Sequence, residues 1–395
     1  MYPNLYYAFK DLFGLDWKFL RFVNSFGFFV AIAFILAAIT LAAELRRKSR
    51  QGLLQPTEMQ VMVGQPATVS QLLLNFLFGF LFGYKILALF LMSSTATEDP
   101  QAFIFSSMGS WPAGIGLGLL FAGLKWWDKH KQRLPKPEQR KVRIWPQDRV
   151  GEMVIIALVF GLFGAKLFDI FENWSAFLQH PSDFIFSRAG LTFYGGLICA
   201  ALAIWWYAKK HKIGFWHLND AAAPALMLAY AVGRIGCQVA GDGDWGIENL
   251  RPKPFNWLPD WMWSYNFPHN VNEVGIKIPG CNDPKYCFQL EHGVFPTAFY
   301  ETITCLILFA LIWSLRKKFK VPGTLFAFYL ILNGVERFLV ETIRVNVRMN
   351  LFGLHPTQAE LISSLLIISG IVLWLILIRK SGSQKVASGK EAIKT

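Results

Sequence analysis

One arginine in this chain is surrounded by residues that could bind a phosphate group. Arg234 is followed over the next twelve residues by four glycines, the last of which is Gly246, and by Asp242 and Asp244. Arginine can bind a phosphate through parallel N–H groups, and glycine lets the backbone approach a ligand closely. A simpler interpretation is that Arg234 ends a membrane helix and extends its charged group to the aqueous interface. That interpretation leaves the glycines and aspartates unexplained. The segment therefore predicts a phosphate-binding loop.

A second group of charges lies within an apolar segment near the C-terminus. Arg337 and Glu341 are four residues apart and share one helix face, with Asn333 one turn earlier on that face. A charge inside an apolar span is costly and is a candidate for function, although an ion pair that offsets its own burial also explains it. The stripe alone leaves both interpretations open.

A tyrosine and two glycines, Tyr194, Gly195 and Gly196, open another apolar segment. A phenol can donate a hydrogen bond, but in membrane proteins tyrosine is also common at the lipid surface and glycine at helix contacts. Taken alone, this segment favours the packing interpretation.

The composition indicates which elements must position these residues. Hydrophobic residues make up 54% of the chain and charged residues 16%, against about 25% charged in an ordinary soluble domain. A soluble globular enzyme, a disordered chain and a disulfide scaffold are therefore excluded, and an all-α polytopic membrane protein is left. The net charge of +13 fits basic loops at an anionic membrane surface, so we expect no nucleic acid as a partner.

Nine apolar segments are candidates for helices that cross the bilayer core, which takes roughly 20 residues. They are Phe22–Ala43, 71–92, 109–127, 151–172, 189–208, 219–241, 296–315, 321–343 and 359–378. If the first segment ends in the cytoplasm, the inside loops carry 24 lysines and arginines and the outside segments carry 10. This asymmetry predicts an external N-terminus and a cytoplasmic C-terminus.

With this orientation, the polar stretch 242–294 becomes an external cap rich in tryptophan and proline. Cys281 and Cys287 lie in it on the oxidising side, which favours a short disulfide loop. The five cysteines of the chain show no metal-binding spacing, so no metal is expected.

Residues 77–131 and 158–212 resemble each other at a constant offset of 81 residues, without a gap. The matches extend from the helices through the polar loops, where Phe103–Ser106 matches Phe184–Ser187. Two apolar helices can resemble each other by composition alone, but a match through the loops favours duplication of a two-helix unit. The first unit lacks the tyrosine of the second, so we assign the chemistry to the second unit.

Together these segments resemble the prolipoprotein diacylglyceryl transferases of bacterial inner membranes. Gly233–Gly246 resembles the family signature G-R-x-G-N-F-x-N-G-E-x-x-G, and Tyr194–Leu197 resembles H-G-G-L. Phe295–Glu301 is similar to H-P-[ST]-Q-L-Y-E, Asn333–Glu341 to Y-G-x-x-R-F-x-x-E, and Phe26–Gly27 to the Y-G of the first span. The motifs occur in the family's order and cover most of the chain.

Several residues depart from the family pattern. The histidine before the two glycines is Tyr194 here, the signature asparagines are Cys237 and Ala240, the signature glutamate is Asp242, and the tyrosine of the last motif is Asn333. The family typically has seven spans, and the duplicated hairpin accounts for the two that this chain adds.

The resemblance implies transfer of the diacylglyceryl group from phosphatidylglycerol to the lipobox cysteine of a prolipoprotein signal peptide. This is the first step of lipoprotein maturation, and it takes place in the inner membrane without a cofactor. The implied catalytic residues are Tyr194, Arg337, Glu341 and Asp242. The implied phosphatidylglycerol-binding residues are Arg234, Gly195, Gly196 and Gly246. Because a phenol is a poor base at neutral pH, we expect Tyr194 to donate a hydrogen bond or relay a proton.

Two other classes of function are open at this point. The substitutions at Tyr194, Cys237 and Asn333 are compatible with a catalytically weak paralogue that binds lipids or lipoproteins. The duplication and the intramembrane charges are compatible with a transporter, although transporter repeats should share the polar residues of the substrate site, and these repeats do not.

Overall fold

The computed structural model describes residues 1–88, 103, 107–179, 181, 192–281, 285–346, 348–350, 353 and 355–392, with the side chains of these residues as far as residue 381. The matched repeat segments 104–106 and 184–187 lie outside the described residues. Residues 89–92 and 189–191 of two predicted spans lie outside them as well.

Helices form most of the described structure. In chain order they are α1 Leu5–Phe13, α2 Ser25–Arg50, α3 Val69–Leu81, α4 Trp111–Lys131, α5 Val150–Glu172, α6 Trp174–Gln179, α7 Phe193–Lys210, α8 Phe215–Ala240, α9 Asp260–Trp263, α10 Thr297–Leu315, α11 Thr324–Glu341 and α12 Gln358–Ala392. A π-helical turn, Phe82–Leu87, continues α3. Short 3₁₀ helices lie at Lys18–Phe22 and Pro146–Arg149.

Each of the nine predicted spans coincides with one of these helices. Among the described residues, six segments are long and apolar enough to cross a membrane. They are Ser25–Arg50, Val69–Leu87, Pro146–Glu172, Phe215–Ala240, Thr297–Leu315 and Gln358–Ser381. The other three of the nine predicted spans coincide with helices α4, α7 and α11. The all-α polytopic class is therefore confirmed, while the count of nine stays a prediction.

Two small antiparallel strand pairs were not predicted. Strand β1, Thr57–Val63, pairs with β2, Glu138–Ile144, so that Thr57 lies opposite Ile144. This ribbon joins the residues just before α3 to those just after α4, and so closes the base of the first hairpin. A shorter pair, β3 Ile276–Lys277 and β4 Phe288–Gln289, lies in the predicted cap.

The central bundle is built around α8. It packs against α2 and α10, while α11 packs against α12 and α5 against α7. One apolar cluster joins α8 to α10 and α11 through Met227, Cys305 and Leu325. These contacts bring the polar residues of α8, α10 and α11 into one interior.

Glycine allows close helix contact in both hairpins. A side chain on Gly83 of the first hairpin would collide with the backbone of α4 at Ala113 and Gly114. A side chain on Gly164 of the second would collide with Gly195 on α7. The positions correspond at the offset of 81 residues, so both hairpins use the same small-residue contact.

The described residues of the stretch 242–294, which we call the cap, have little regular structure. Cys281 and Cys287 form a disulfide with a Cα–Cα distance of 5.7 Å, which confirms the predicted pairing. The cap is joined to the bundle where Gly246 N donates to Phe295 O at 2.8 Å and Ile247 N donates to Ile343 O at 2.9 Å. It therefore lies at the end of α8 that carries the predicted phosphate-binding loop.

Candidate active site

Three arginines converge on one buried glutamate. Glu301, on the second turn of α10, has a fully buried side chain. Its Oε1 accepts from Arg337 Nη1 of α11 and from Arg344 Nη1, each at 3.2 Å. Its Oε2 pairs with Arg234 Nε of α8. Two helices and the segment after α11 thus direct their cations at the same carboxylate.

Two further acids complete this group, which we call the arginine cluster: Arg234, Arg337, Arg344, Glu301, Asp244 and Glu341. Asp244 pairs with both Arg234 and Arg344. Glu341 Oε2 lies 3.2 Å from Arg337 Nη2, as the i, i+4 spacing predicted. Three guanidinium groups therefore face three carboxylates, which reduces the cost of burying them.

The loop after α8 returns Asp244 to the helix end. Gly241 ends α8 with φ +64°, and Gly243 follows with φ +99°. Both values belong to the left-handed region, which glycine adopts without strain. Asp244 is then fixed by its backbone oxygen, which accepts from Thr297 Oγ1 at 2.6 Å. The glycines of the predicted loop thus position a carboxylate against Arg234.

Asp242 and Asp244 have opposite electrostatic surroundings. Burial, and then the neighbouring Asp244, raise the pKa of the Asp242 carboxyl. Burial also acts to raise the pKa of Asp244, but Arg234 and Arg344 outweigh it and hold that pKa below its ordinary value. The difference follows from the geometry, because Asp244, and not Asp242, makes the ion pair with Arg234.

Cys237, Asp242 and Asp244 offer ligand atoms that all lie within 4.8 Å of one another. The two guanidinium groups already paired with Asp244 place positive charge beside this trio. A cation would be repelled there, so we assign no metal to these residues.

Tyr194 is brought to the edge of the arginine cluster. It is the second residue of α7 and is half-buried. It interacts electrostatically with Arg337, Glu341 and Arg344. Within the described part of the chain its hydroxyl makes no hydrogen bond, so it can still donate one to a ligand.

Comparison with known proteins shows which family this chain belongs to. A family model described as prolipoprotein diacylglyceryl transferase matches residues 113–376, which is more than half of the chain. The chain belongs to this family. The match includes every residue of the arginine cluster and begins within α4. The first span, with Phe26 and Gly27, therefore lies outside the matched range.

Individual relatives agree with the family match. A protein of Shouchella clausii is 28% identical over 58% of this chain and 75% of its own length. A protein of Clostridium novyi is 29% identical over 57% of this chain and 78% of its own length. One of Bacillus cereus (strain G9842) is 29% identical over 60% and 79%. All three are named phosphatidylglycerol–prolipoprotein diacylglyceryl transferase. The predicted family membership is confirmed.

The glycines predicted to bind lipid in this family member lie at backbone contacts. Side chains on Gly195 and Gly196 would collide with α5, at Phe168 and Gly161 respectively. A side chain on Gly246 would collide with the backbone oxygen of Ile343. The geometry gives all three a packing role, and their lipid-binding role stays a prediction.

Four members of the site are absent from the catalytic and lipid-binding residues predicted above: Glu301, Arg344, Tyr230 and Asp244, the last of which was noted only as part of the predicted loop. Tyr230 lies one turn before Arg234, donates to Glu301 Oε2 at 3.2 Å and places its ring 5.4 Å from the Arg234 guanidinium. Glu301 carried a usable signal, because it is an acid near the start of an apolar span and ends one of the family motifs. Arg344 follows the end of α11 and carried no comparable signal.

Proposed function

We propose that this chain transfers the diacylglyceryl group of phosphatidylglycerol to the lipobox cysteine of prolipoprotein signal peptides. The observation that carries the proposal is the convergence of Arg234, Arg337 and Arg344 on one buried site. Such a group of cations suits a phosphate that gains charge as it leaves. The relatives' names state the same two substrates and favour neither the weakly active paralogue nor a transporter.

The reaction joins sulfur to carbon and releases a phosphate. The substrate thiol loses its proton, and its sulfur attacks the glyceryl carbon next to the phosphate. The C–S bond forms as the C–O bond breaks, and glycerol phosphate leaves with the electron pair. The proton from the thiol balances the charge that the phosphate gains.

The phosphate binds at the Asp244 side of the arginine cluster. The Asp244 side chain is 32% exposed, whereas those of Glu301 and Glu341 are fully buried. Asp244 is therefore the acid that an incoming anion displaces most easily from Arg234. Arg337 remains held by Glu341, and Asp242 positions the head group from the loop.

Tyr194 takes the place of the family's proton-handling histidine. Its hydroxyl lies at the edge of the cluster, with Arg337 and Arg344 in electrostatic range. From there it donates a hydrogen bond to the reacting groups or relays a proton. The second hairpin, which carries it, is the catalytic copy of the duplicated unit, and the first hairpin is scaffold.

The chain lies in the bacterial inner membrane with its N-terminus outside, its C-terminus in the cytoplasm and the cap in the periplasm. The excess of basic residues on one side supports this orientation. The disulfide in the cap supports it independently, because disulfides persist in oxidising compartments. Signal peptides then arrive at the cap side of the arginine cluster.

The test is incubation of the purified protein with phosphatidylglycerol and a lipobox peptide, followed by mass spectrometry. We expect the peptide to gain the mass of one diacylglyceryl group. A peptide with serine in place of the acceptor cysteine is the matched control and should gain nothing. An unchanged mass for the cysteine peptide would reject the transferase.

A further inference from the structure

A cavity of about 680 Å³ lies between the N-terminal helix α1, the end of α8 and the cap. This volume is in the range of about 300–1,000 Å³ that is typical of ligand sites. Aromatic side chains from the cap and from the N-terminal segment line it: Tyr2, Tyr7, Trp261, Tyr265 and Tyr286. None of the roles assigned above uses this cavity.

The walls of the cavity are fixed by specific contacts. The rings of Tyr7 and Tyr286 meet edge to face at 6.1 Å and join α1 to the cap. Tyr2 N donates to Val239 O at 2.8 Å and joins the N-terminal segment to the end of α8. The disulfide of Cys287 restrains the neighbouring Tyr286. A ligand would therefore meet a formed site.

Gln238 connects the cavity to the arginine cluster. It lines the cavity and lies one turn after Arg234, about 6 Å further along α8. Its Oε1 is buried and has no hydrogen-bond partner among the described residues. An amide is a good partner for a peptide group, since each has both a donor and an acceptor.

We propose that this cavity binds the polypeptide segment that follows the acceptor cysteine of the protein substrate. The proposal rests on the transferase function. The segment before the cysteine is the apolar part of the signal peptide and belongs in the bilayer, so the chain after it is the part that reaches the cap. Lipid chains are a poor match, because Lys10, His269 and Lys285 line the same cavity and would lose hydration against hydrocarbon.

The test compares two peptides that share the signal segment and the acceptor cysteine. One ends at the cysteine and the other continues for several residues, and both are assayed at saturating phosphatidylglycerol. We expect the longer peptide to have a KM about tenfold lower, as expected for one well-packed anchor. Equal KM values for the two peptides would overturn the proposal.

Substitutions then locate the binding. Trp261→Ala and Gln238→Leu should raise the KM of the longer peptide to that of the shorter one, and leave the KM values for the shorter peptide and for phosphatidylglycerol unchanged. Trp257→Ala is the matched control, because Trp257 lies in the cap, is 77% exposed and does not line the cavity. Equal losses with both peptides would contradict the proposal. Failure of wild-type protein on both peptides would instead reject the transferase function.

Discussion

Helix α8 carries a buried polar cluster near each end, and the two differ in how completely they are hydrogen bonded. Near its start, Asp220 accepts from Gly323 N at 2.9 Å, from Phe326 N at 3.0 Å and from Lys48 Nζ at 3.4 Å. This carboxylate caps the start of α11 and joins three helices. We call these residues the Asp220 cluster.

The surroundings of the arginine cluster, near the other end of α8, are less completely hydrogen bonded. Both carboxylate oxygens of the adjacent Glu336 lack a hydrogen-bond partner among the described residues, as does Arg344 Nε. Near the Asp220 cluster, His217 Nδ1 is the one comparable atom in the described chain. Buried polar groups without partners are costly, so they are expected where a ligand supplies the partner. The comparison teaches that the arginine cluster and the adjacent Glu336, unlike the Asp220 cluster, leave buried polar atoms that a bound ligand could satisfy.

The largest expected effect is on transfer by Arg234→Ala. The phosphate loses its charged partner, so the rate should fall about a thousandfold or more. The measurement is diacylglyceryl transfer at matched amounts of folded protein. Arg316→Ala is the control, because Arg316 pairs with the buried Glu44 outside the arginine cluster. Near-normal turnover of the Arg234 variant would move the phosphate site elsewhere.

The next effect is on stability. Asp220→Ala should lower the free energy of unfolding by about 3–5 kcal/mol, because it leaves Lys48 buried without its partner. Thermal unfolding in detergent measures the change. Adding Lys48→Met should restore part of the loss, since the unpaired charge is then removed. If the single variant is as stable as wild type, the Asp220 cluster does not hold these helices together.

Substitutions of Tyr194 distinguish its two possible roles. Tyr194→Phe should reduce the transfer rate by several-fold to a few hundred-fold, since catalysis by one proton donor contributes roughly 10²–10⁴. Tyr194→His should retain activity, because it restores the residue type of the family motif. Thioether formation by both variants at matched membrane levels gives the comparison. If the Tyr194→Phe variant forms the thioether faster than the Tyr194→His variant, the role of Tyr194 is in packing.

The smallest expected effect is on stability, when a buried glutamate is replaced by leucine in two different surroundings. Glu336→Leu should raise the free energy of unfolding by about 1–2 kcal/mol, because it removes a buried carboxylate whose oxygens have no hydrogen-bond partner among the described residues. Glu44→Leu should lower it, because Glu44 accepts from Arg47 at 2.8 Å and from Arg316 at 2.6 Å. Thermal unfolding in one detergent gives both values. If both substitutions change the free energy of unfolding in the same direction, the two carboxylates do not differ in the way that their hydrogen bonding implies.

The sequence was informative where the signal is local. Apolar runs predicted all six of the described segments that are long and apolar enough to cross a membrane, since one helix must cover the bilayer by itself. The i, i+4 spacing predicted the pair Arg337–Glu341, and the predicted external position of the cap favoured the disulfide Cys281–Cys287. The motifs also identified the family, because their residues and order are properties of the chain alone.

Only the tertiary structure decided which distant charges meet. That Glu301 binds three arginines, and that Asp244 rather than Asp242 pairs with Arg234, depends on how α8, α10 and α11 pack. The ribbon of β1 and β2 and the cavity under the cap depend likewise on segments far apart in the chain. Sequence spacing fixes neighbours along one helix, but contacts between helices follow from packing that no single segment specifies.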